Sequence, residues 1–137
     1  MILPNIENFI GCDSNFEEAG IVLYGAPFDS TTSFRPGARF GPSAIRHESF
    51  GLETYSPYQD RDLMEIRVFD SGDLELCFGS SEMALADIQN RAWEILEAGK
   101  IPLLLGGEHL VTLADFYHVS VDYLLGRTNQ KAPYPKK

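Results

Sequence analysis

The sequence has few cysteines and no long apolar run, and each shortage excludes a class of protein. Cys12 and Cys77 form no C-x-x-C pair within the 137 residues, so we expect two reduced thiols rather than a zinc knuckle or a disulfide scaffold. No segment approaches the ~18 consecutive apolar residues of a membrane span, which argues against an integral membrane protein. The N-terminus lacks a basic region and carries acidic residues early, so we predict no signal peptide and a cytoplasmic location.

Basic residues are also scarce. The chain has 11 Lys and Arg against 20 Asp and Glu, a formal net charge of −9, which argues against a nucleic-acid backbone as its main partner. Residues 1–112 carry a net charge of −11, whereas residues 113–137 carry +2. This change of sign near Thr112 predicts that two different pieces of sequence meet there, a body (residues 1–112) and a tail (residues 113–137).

Several sequence motifs of common enzymes are missing. The chain contains no G-x-G-x-x-G, no P-loop, no H-E-x-x-H and no G-x-S-x-G. Their absence argues against dinucleotide binding, nucleoside triphosphate hydrolysis, zincin chemistry and a hydrolase nucleophile elbow.

The apolar pattern indicates an α/β fold with a mostly parallel sheet. Buried strands are predicted at residues 20–26, 66–69 and 101–105, where short apolar runs end in loops. A short helix is predicted at residues 42–48, and residues 51–65 are predicted to be a surface excursion. A longer helix begins after Ser80 or Ser81 and is stopped by Gly99, because its apolar residues recur on one helical face. The alternation of strand and helix is typical of βαβ units.

Acidic residues and a histidine follow the three predicted strands, at the edge of a parallel sheet where ligands bind. His109 and Glu108 follow two glycines after the third strand, and His109 is either a metal ligand or a structural histidine. One histidine and one neighbouring glutamate do not supply the three or more ligands of a metal site. Asp29, Asp70 and Asp73 could add carboxylates to it or could cap their own loops.

The other histidines and the arginines near the first helix are weaker candidates. We predict that His47 and His118 are not catalytic. Arg35, Arg39 and Arg46 could bind an anion, or could pair with local carboxylates or with a neighbouring subunit.

Four segments resemble one family when they are taken together and in order. They are GAPFD at residues 25–29, RPGARFGPSAIR at 35–46, DSGD at 70–73 and GGEH at 106–109. Over about residues 20–113 the chain resembles the N-terminal half of the ureohydrolases, the arginase and agmatinase family. Residues 51–63 are similar to the agmatinase branch, particularly its bacterial forms. The resemblance implies a three-layer α/β/α fold, here truncated.

The resemblance also implies an activity, the hydrolysis of agmatine to urea and putrescine. Two manganese ions share a bridging hydroxide in this family and are held by six His and Asp side chains. His109 corresponds to the first of these ligands, and Glu108 would help to orient the site. The D-x-H-x-D and D-x-D motifs that supply the other five ligands are absent, so we expect this chain to be inactive alone. The family also implies a homo-oligomer or a full-length homologue as partner.

The tail resembles a different class of protein. Residues 113–128 are similar to the last two helices of Cro/repressor-type helix-turn-helix regulators. Residues 113–117 could continue a helix, and Ser120 could cap a short second helix at residues 121–125. The recognition helix of such regulators lies upstream and is not supplied here, so we do not expect DNA binding. Three interpretations stay open: an agmatinase-like fragment, a non-catalytic partner module of a full-length ureohydrolase, and a fragment of a DNA-binding regulator.

Overall fold

The computed structural model describes residues 7–109 and Asn129, and its centre is a parallel sheet with helices on both faces. The elements in chain order are β1 (Ile21–Ala26), α1 (Gly41–Ser49), β2 (Tyr55–Ser56), β3 (Arg61–Asp62), β4 (Val68–Asp73), α2 (Ser81–Glu97) and β5 (Ile101–Gly106). The sheet has the strand order β4-β1-β5, and both neighbours run parallel to β1. The predicted α/β class is therefore confirmed, whereas the predicted tail helices and His118 lie outside the described residues.

β1 occupies the middle of the sheet because its continuous apolar sequence can be buried on both faces. The predicted first and third strands match β1 and β5 to within one residue. The second prediction, residues 66–69, was wrong in its bounds, since β4 begins at Val68 and continues through the polar residues to Asp73. These polar residues remain in the strand because β1 supplies their backbone partners and because Arg46 neutralises their carboxylates.

α2 covers one face of the sheet and forms the larger part of the core. The Ser80 hydroxyl accepts the Met83 N–H at 3.2 Å and so caps the helix, while Gly99 adopts a φ of +73° just beyond its end. The face of α2 that was predicted to be apolar packs against the sheet, except for Leu96, which is 48% exposed. The buried residues of this cluster include Val22, Tyr24, Ala26, Phe69, Ala84, Leu85, Ile88 and Ile95.

α1 covers the opposite face, which confirms the three-layer α/β/α arrangement. Pro42 lies in its first turn, where the missing N–H costs no hydrogen bond, and the helix matches the predicted residues 42–48 to within one residue at each end. Arg46 and Ser49 are buried beneath it. A smaller apolar cluster on this face joins Leu23 and Val68 to Cys12.

The two edges of the sheet differ. The outer edge of β4 is covered by the N-terminal segment, since Asp13 forms an antiparallel bridge with Phe69. β5, in the described part of the chain, pairs only with β1. The predicted surface excursion contains the β2–β3 hairpin. Within the described ranges both cysteines are free thiols, and no helix is long and apolar enough to cross a membrane.

Candidate functional site

The carboxyl ends of β1 and β5 lie side by side, so the predicted site residues Asp29 and His109 follow neighbouring strands at one edge of the sheet. Ala26 and Gly106 are register partners at the ends of these strands. The loop that follows β1 contains Phe28 and Asp29, and the turn that follows β5 contains Glu108 and an exposed His109. The predicted concentration of polar groups after the strands is therefore confirmed for this pair of strands.

The turn after β5 is hydrogen-bonded to the chain that leaves β1. The Gly107 N–H donates to the Ala26 carbonyl at 2.9 Å, and the Glu108 N–H donates to the Phe28 carbonyl at 2.7 Å. A Cβ atom at Gly107 would lie 2.5 Å from the Phe28 oxygen and 2.8 Å from its nitrogen. The two backbones can approach this closely only because residue 107 has no side chain, which explains the second glycine of the GGEH segment.

The Glu108 side chain reaches the loop after β1. Its Oε2 accepts the Thr31 hydroxyl at 2.6 Å and the Thr31 N–H at 3.3 Å. Glu108 therefore connects the turn that carries His109 to the loop at residues 29–37. Thr31 was not predicted as a site residue, since its partner is 77 positions away and no local pattern joins them.

The Asp29 carboxylate is hydrogen-bonded within its own loop and is not free. Its Oδ2 accepts the Gly37 N–H at 2.7 Å, and Arg39 donates to both carboxylate oxygens at 3.2 and 3.3 Å. Burial alone would raise the pKa of Asp29, but the Gly37 and Arg39 donors outweigh it and lower that pKa below its usual value. An open cleft of about 700 Å³ adjoins this pair and is lined by Asp29, Ser30, Thr32, Pro36, Arg39 and Phe78.

Asp70 and Asp73 lie on β4 and both pair with Arg46 of α1; Asp70 is buried, whereas Asp73 is partly exposed. Asp70 accepts two hydrogen bonds from Arg46, at 2.8 and 3.0 Å, and one each from the Gly72 and Phe9 N–H groups at 2.9 Å. These donors use the four lone-pair positions of the Asp70 carboxylate, which leaves none for a metal ion. Asp73 accepts a further hydrogen bond from Arg46. The predicted local capping role is seen for Asp70, through the Gly72 N–H, whereas Asp73 is engaged by Arg46 from another element.

The remaining charged candidates have local partners. Pairing with local carboxylates is confirmed for Arg39 and Arg46, while the Arg35 guanidinium lies 5.2 Å from the centroid of the Phe34 ring. His47 is exposed, and its Nδ1 lies 3.4 Å from Glu7 Oε1, away from the sheet edge.

A metal pair needs several converging donor side chains. No group of three or more His, Cys, Asp or Glu side chains converges anywhere in residues 7–109 or at residue 129. His109 is thus a single candidate donor, and the described residues do not by themselves fit a two-metal site.

The sequence matches the arginase family over residues 19–129. The chain belongs to the arginase family. It is 50% identical over 115 residues to an agmatinase from Bacillus anthracis, an alignment that covers 84% of this chain but only 40% of that protein. This arginase-family chain therefore spans about two fifths of the length of its curated relative. The matched range runs across residues 113–128, and the predicted boundary at residue 112 stays a prediction.

Solved structures show the same relationship. The agmatine ureohydrolase of Thermoplasma volcanium superimposes with a TM-score of 0.76 at 30% identity, over 85% of this chain and 39% of that one. A formiminoglutamase from Trypanosoma cruzi, solved with two Mn²⁺ ions, gives a TM-score of 0.63 at 25% identity over 74% of this chain and 35% of its own. The arginase-family fold is thus supported by sequence and by structure.

Proposed function

We propose that this arginase-family chain forms the N-terminal part of an agmatinase-like catalytic unit, which hydrolyses agmatine to putrescine and urea in the cytoplasm. The observation that supports this proposal most is the exposed His109 at the end of β5, on a turn fixed by Gly107 and Glu108. The similarity to the Bacillus anthracis agmatinase supports the choice of agmatine among guanidino compounds.

The reaction adds water to a poorly electrophilic guanidinium carbon. A carbon–oxygen bond forms there, the bond to the alkyl nitrogen breaks, and that nitrogen leaves as the amine with the transferred proton. A manganese pair, when bound, supplies hydroxide at neutral pH and stabilises the developing charge. His109 would hold one of the two ions, and Glu108 would fix the turn from which His109 projects.

We further propose that the chain is inactive alone. The described residues offer one metal donor in His109, since Asp29 and Asp70 are occupied by arginine and backbone donors. The remaining ligands would have to come from outside the described residues. We propose that residues 1–112 form a partial ureohydrolase domain and that residues 113–137 form a separate tail. We expect no nucleic-acid partner for this acidic chain.

A chimera tests the catalytic proposal. Residues 1–112 of this chain would replace the matching part of the Bacillus anthracis agmatinase, and urea release from agmatine would be measured with manganese. We expect activity within about tenfold of that agmatinase, and a loss of at least about a hundredfold for His109→Ala in the chimera. The matched control is His47→Ala, which should retain activity. A folded, manganese-loaded chimera without urea release would refute the proposal.

The isolated chain tests the second proposal. After dialysis against manganese chloride we expect less than about a tenth of an ion per chain and no urea release, since a lone histidine binds manganese weakly. Two tightly held ions that are lost in His109→Ala would show that ligands outside the described residues complete the site.

A second candidate function is a non-catalytic partner module of a full-length ureohydrolase. The observation that favours it is the exposure of Ile101 and Leu103 on β5, at 63% and 50%. Co-expression with a full-length homologue distinguishes the two functions. If the chain is a partner module, it co-purifies with the homologue, and His109→Ala in the chain leaves the activity of the homologue unchanged.

A further inference from the structure

Glu108 holds the loop after β1 through both its backbone and its side chain. Its N–H donates to the Phe28 carbonyl at 2.7 Å, and its carboxylate accepts the Thr31 hydroxyl at 2.6 Å. The hydroxyl bond is short and charge-assisted, whereas the Thr31 N–H reaches the same oxygen only at 3.3 Å. The hydroxyl of Thr31 is therefore the main contact that orients the Glu108 side chain.

The loop to which Thr31 belongs is itself well anchored. The Thr32 hydroxyl donates to the Asp29 carbonyl at 2.8 Å, and the Ser30 hydroxyl donates to the Phe78 carbonyl at 3.3 Å. Asp29 binds Gly37 and Arg39 farther along the loop. Thr31 thus connects this hydrogen-bonded loop to the turn that carries His109. The same loop borders the 700 Å³ cleft.

We propose that Thr31 is a positioning residue for His109. Thr31 acts through Glu108: its hydroxyl fixes the carboxylate, the carboxylate fixes the turn at residues 107–109, and the turn sets the direction in which the His109 imidazole projects. Its importance for catalysis rests on the proposed function, in which His109 is a metal ligand, but its effect on the conformation of His109 does not.

The experiment compares three substitutions in the full chain without metal. Thr31→Val keeps the shape of the side chain and removes the hydroxyl donor, whereas Thr31→Ser keeps the donor. Thr32→Val is the matched control, because it removes a hydroxyl from the same loop whose partner is the Asp29 carbonyl and not Glu108. The chain has three histidines, so the His109 ring resonances can be assigned with His47→Gln and His109→Gln.

In Thr31→Val we expect a shifted or broadened His109 ring resonance and a roughly tenfold faster exchange of the Glu108 amide proton. Thr31→Ser and Thr32→Val should both keep the wild-type His109 spectrum. A purely structural role would lower the melting temperature of Thr31→Val without moving the His109 resonance. That result, or a Thr31→Ser spectrum as altered as that of Thr31→Val, would overturn the proposal.

Urea release by the chimera tests the proposed function separately. We expect Thr31→Val to lower urea release by the chimera and Thr31→Ser to retain it. If His109→Ala leaves urea release by the chimera unchanged, His109 is not a ligand and the proposed function fails. The metal-free spectra still decide whether Thr31 positions His109.

Discussion

The two faces of the sheet are built by different means. The face under α2 is closed by apolar side chains such as Val22, Phe69 and Ile88, with Ile88 fully buried. The face under α1 contains an ion network, in which the buried Arg46 binds the buried Asp70 and the partly exposed Asp73. Apolar side chains of similar volume can replace one another, whereas a buried charge requires a specific partner, so the α1 face should be the more sensitive to a single substitution.

The α1 face is also the one that joins distant parts of the chain. Asp70 accepts the Phe9 N–H, and the Ser49 hydroxyl accepts the Ile10 N–H at 2.9 Å. The ion network therefore holds the N-terminal segment, α1 and β4 in one arrangement. The same face is left open at β5, where Ile101 and Leu103 are exposed. The α1 face is therefore held by polar contacts near β4, while its apolar side chains at β5 are not fully covered by the other described residues.

Arg46→Met gives the strongest test of this comparison. It leaves the buried Asp70 carboxylate without its cationic partner, so we expect the free energy of unfolding to fall by about 3–5 kcal/mol in urea denaturation. Arg67→Met is the control, because the ion pair of Arg67 with Glu18 is exposed, and it should cost less than about 1 kcal/mol. A loss below 1 kcal/mol for Arg46→Met would mean that the network contributes little to the fold.

The pH dependence of stability sharpens the comparison, because Cys12 lies on the α1 face. Burial, with the nearby Asp70 and Asp13 charges, raises the pKa of the Cys12 thiol from 9.0 to about 11. The folded state thus favours the neutral thiol. The stability of the folded state is therefore retained below pH 9 and falls as the pH rises from 9 to 11, where the thiol ionises more readily in the unfolded chain. We expect a loss of about 1–2 kcal/mol over this range, measured as the difference between Cys77→Ser and Cys12→Ala/Cys77→Ser. Parallel stability curves for these two variants would contradict the assignment.

On the α2 face the helix N-terminus offers a smaller effect. Ser80→Ala removes the side-chain acceptor of the Met83 N–H, so we expect a loss of about 1 kcal/mol in thermal or urea unfolding. Ser81→Ala is the matched control, since Ser81 is the first residue of α2 and does not cap it, and it should change the stability by less than about 0.5 kcal/mol. Equal losses in the two variants would show that the cap is not formed.

The α2 face and the central strands could be predicted from the sequence because their signals are local. Apolar residues at helical spacing, with Ser80 before them and Gly99 after them, define α2 within seventeen residues. The extension of β4 to Asp73 was missed because a polar strand is stable only where another element neutralises it. The neutralising residue is Arg46, which lies on α1, far from β4 in the sequence.

The candidate site could be predicted only in part, for the same physical reason. The position of His109 after β5 follows from the apolar run and the two glycines. The Thr31–Glu108 contact spans 77 positions, and the four donors to Asp70 come from three separate parts of the chain. Such contacts join residues that are far apart in the sequence, so no local pattern predicts them.

Leu103→Ala gives the smallest expected effect and tests whether the α1 face is open at β5. Leu103 is the register partner of Leu23 on the same face, but Leu103 is 50% exposed and Leu23 only 2%. We expect Leu103→Ala to cost less than about 0.5 kcal/mol and Leu23→Ala to cost about 2–5 kcal/mol, because only the second leaves a cavity. Similar large losses in both would mean that Leu103 is covered in solution. Light scattering on the same samples would then show whether a second copy of the chain provides that cover.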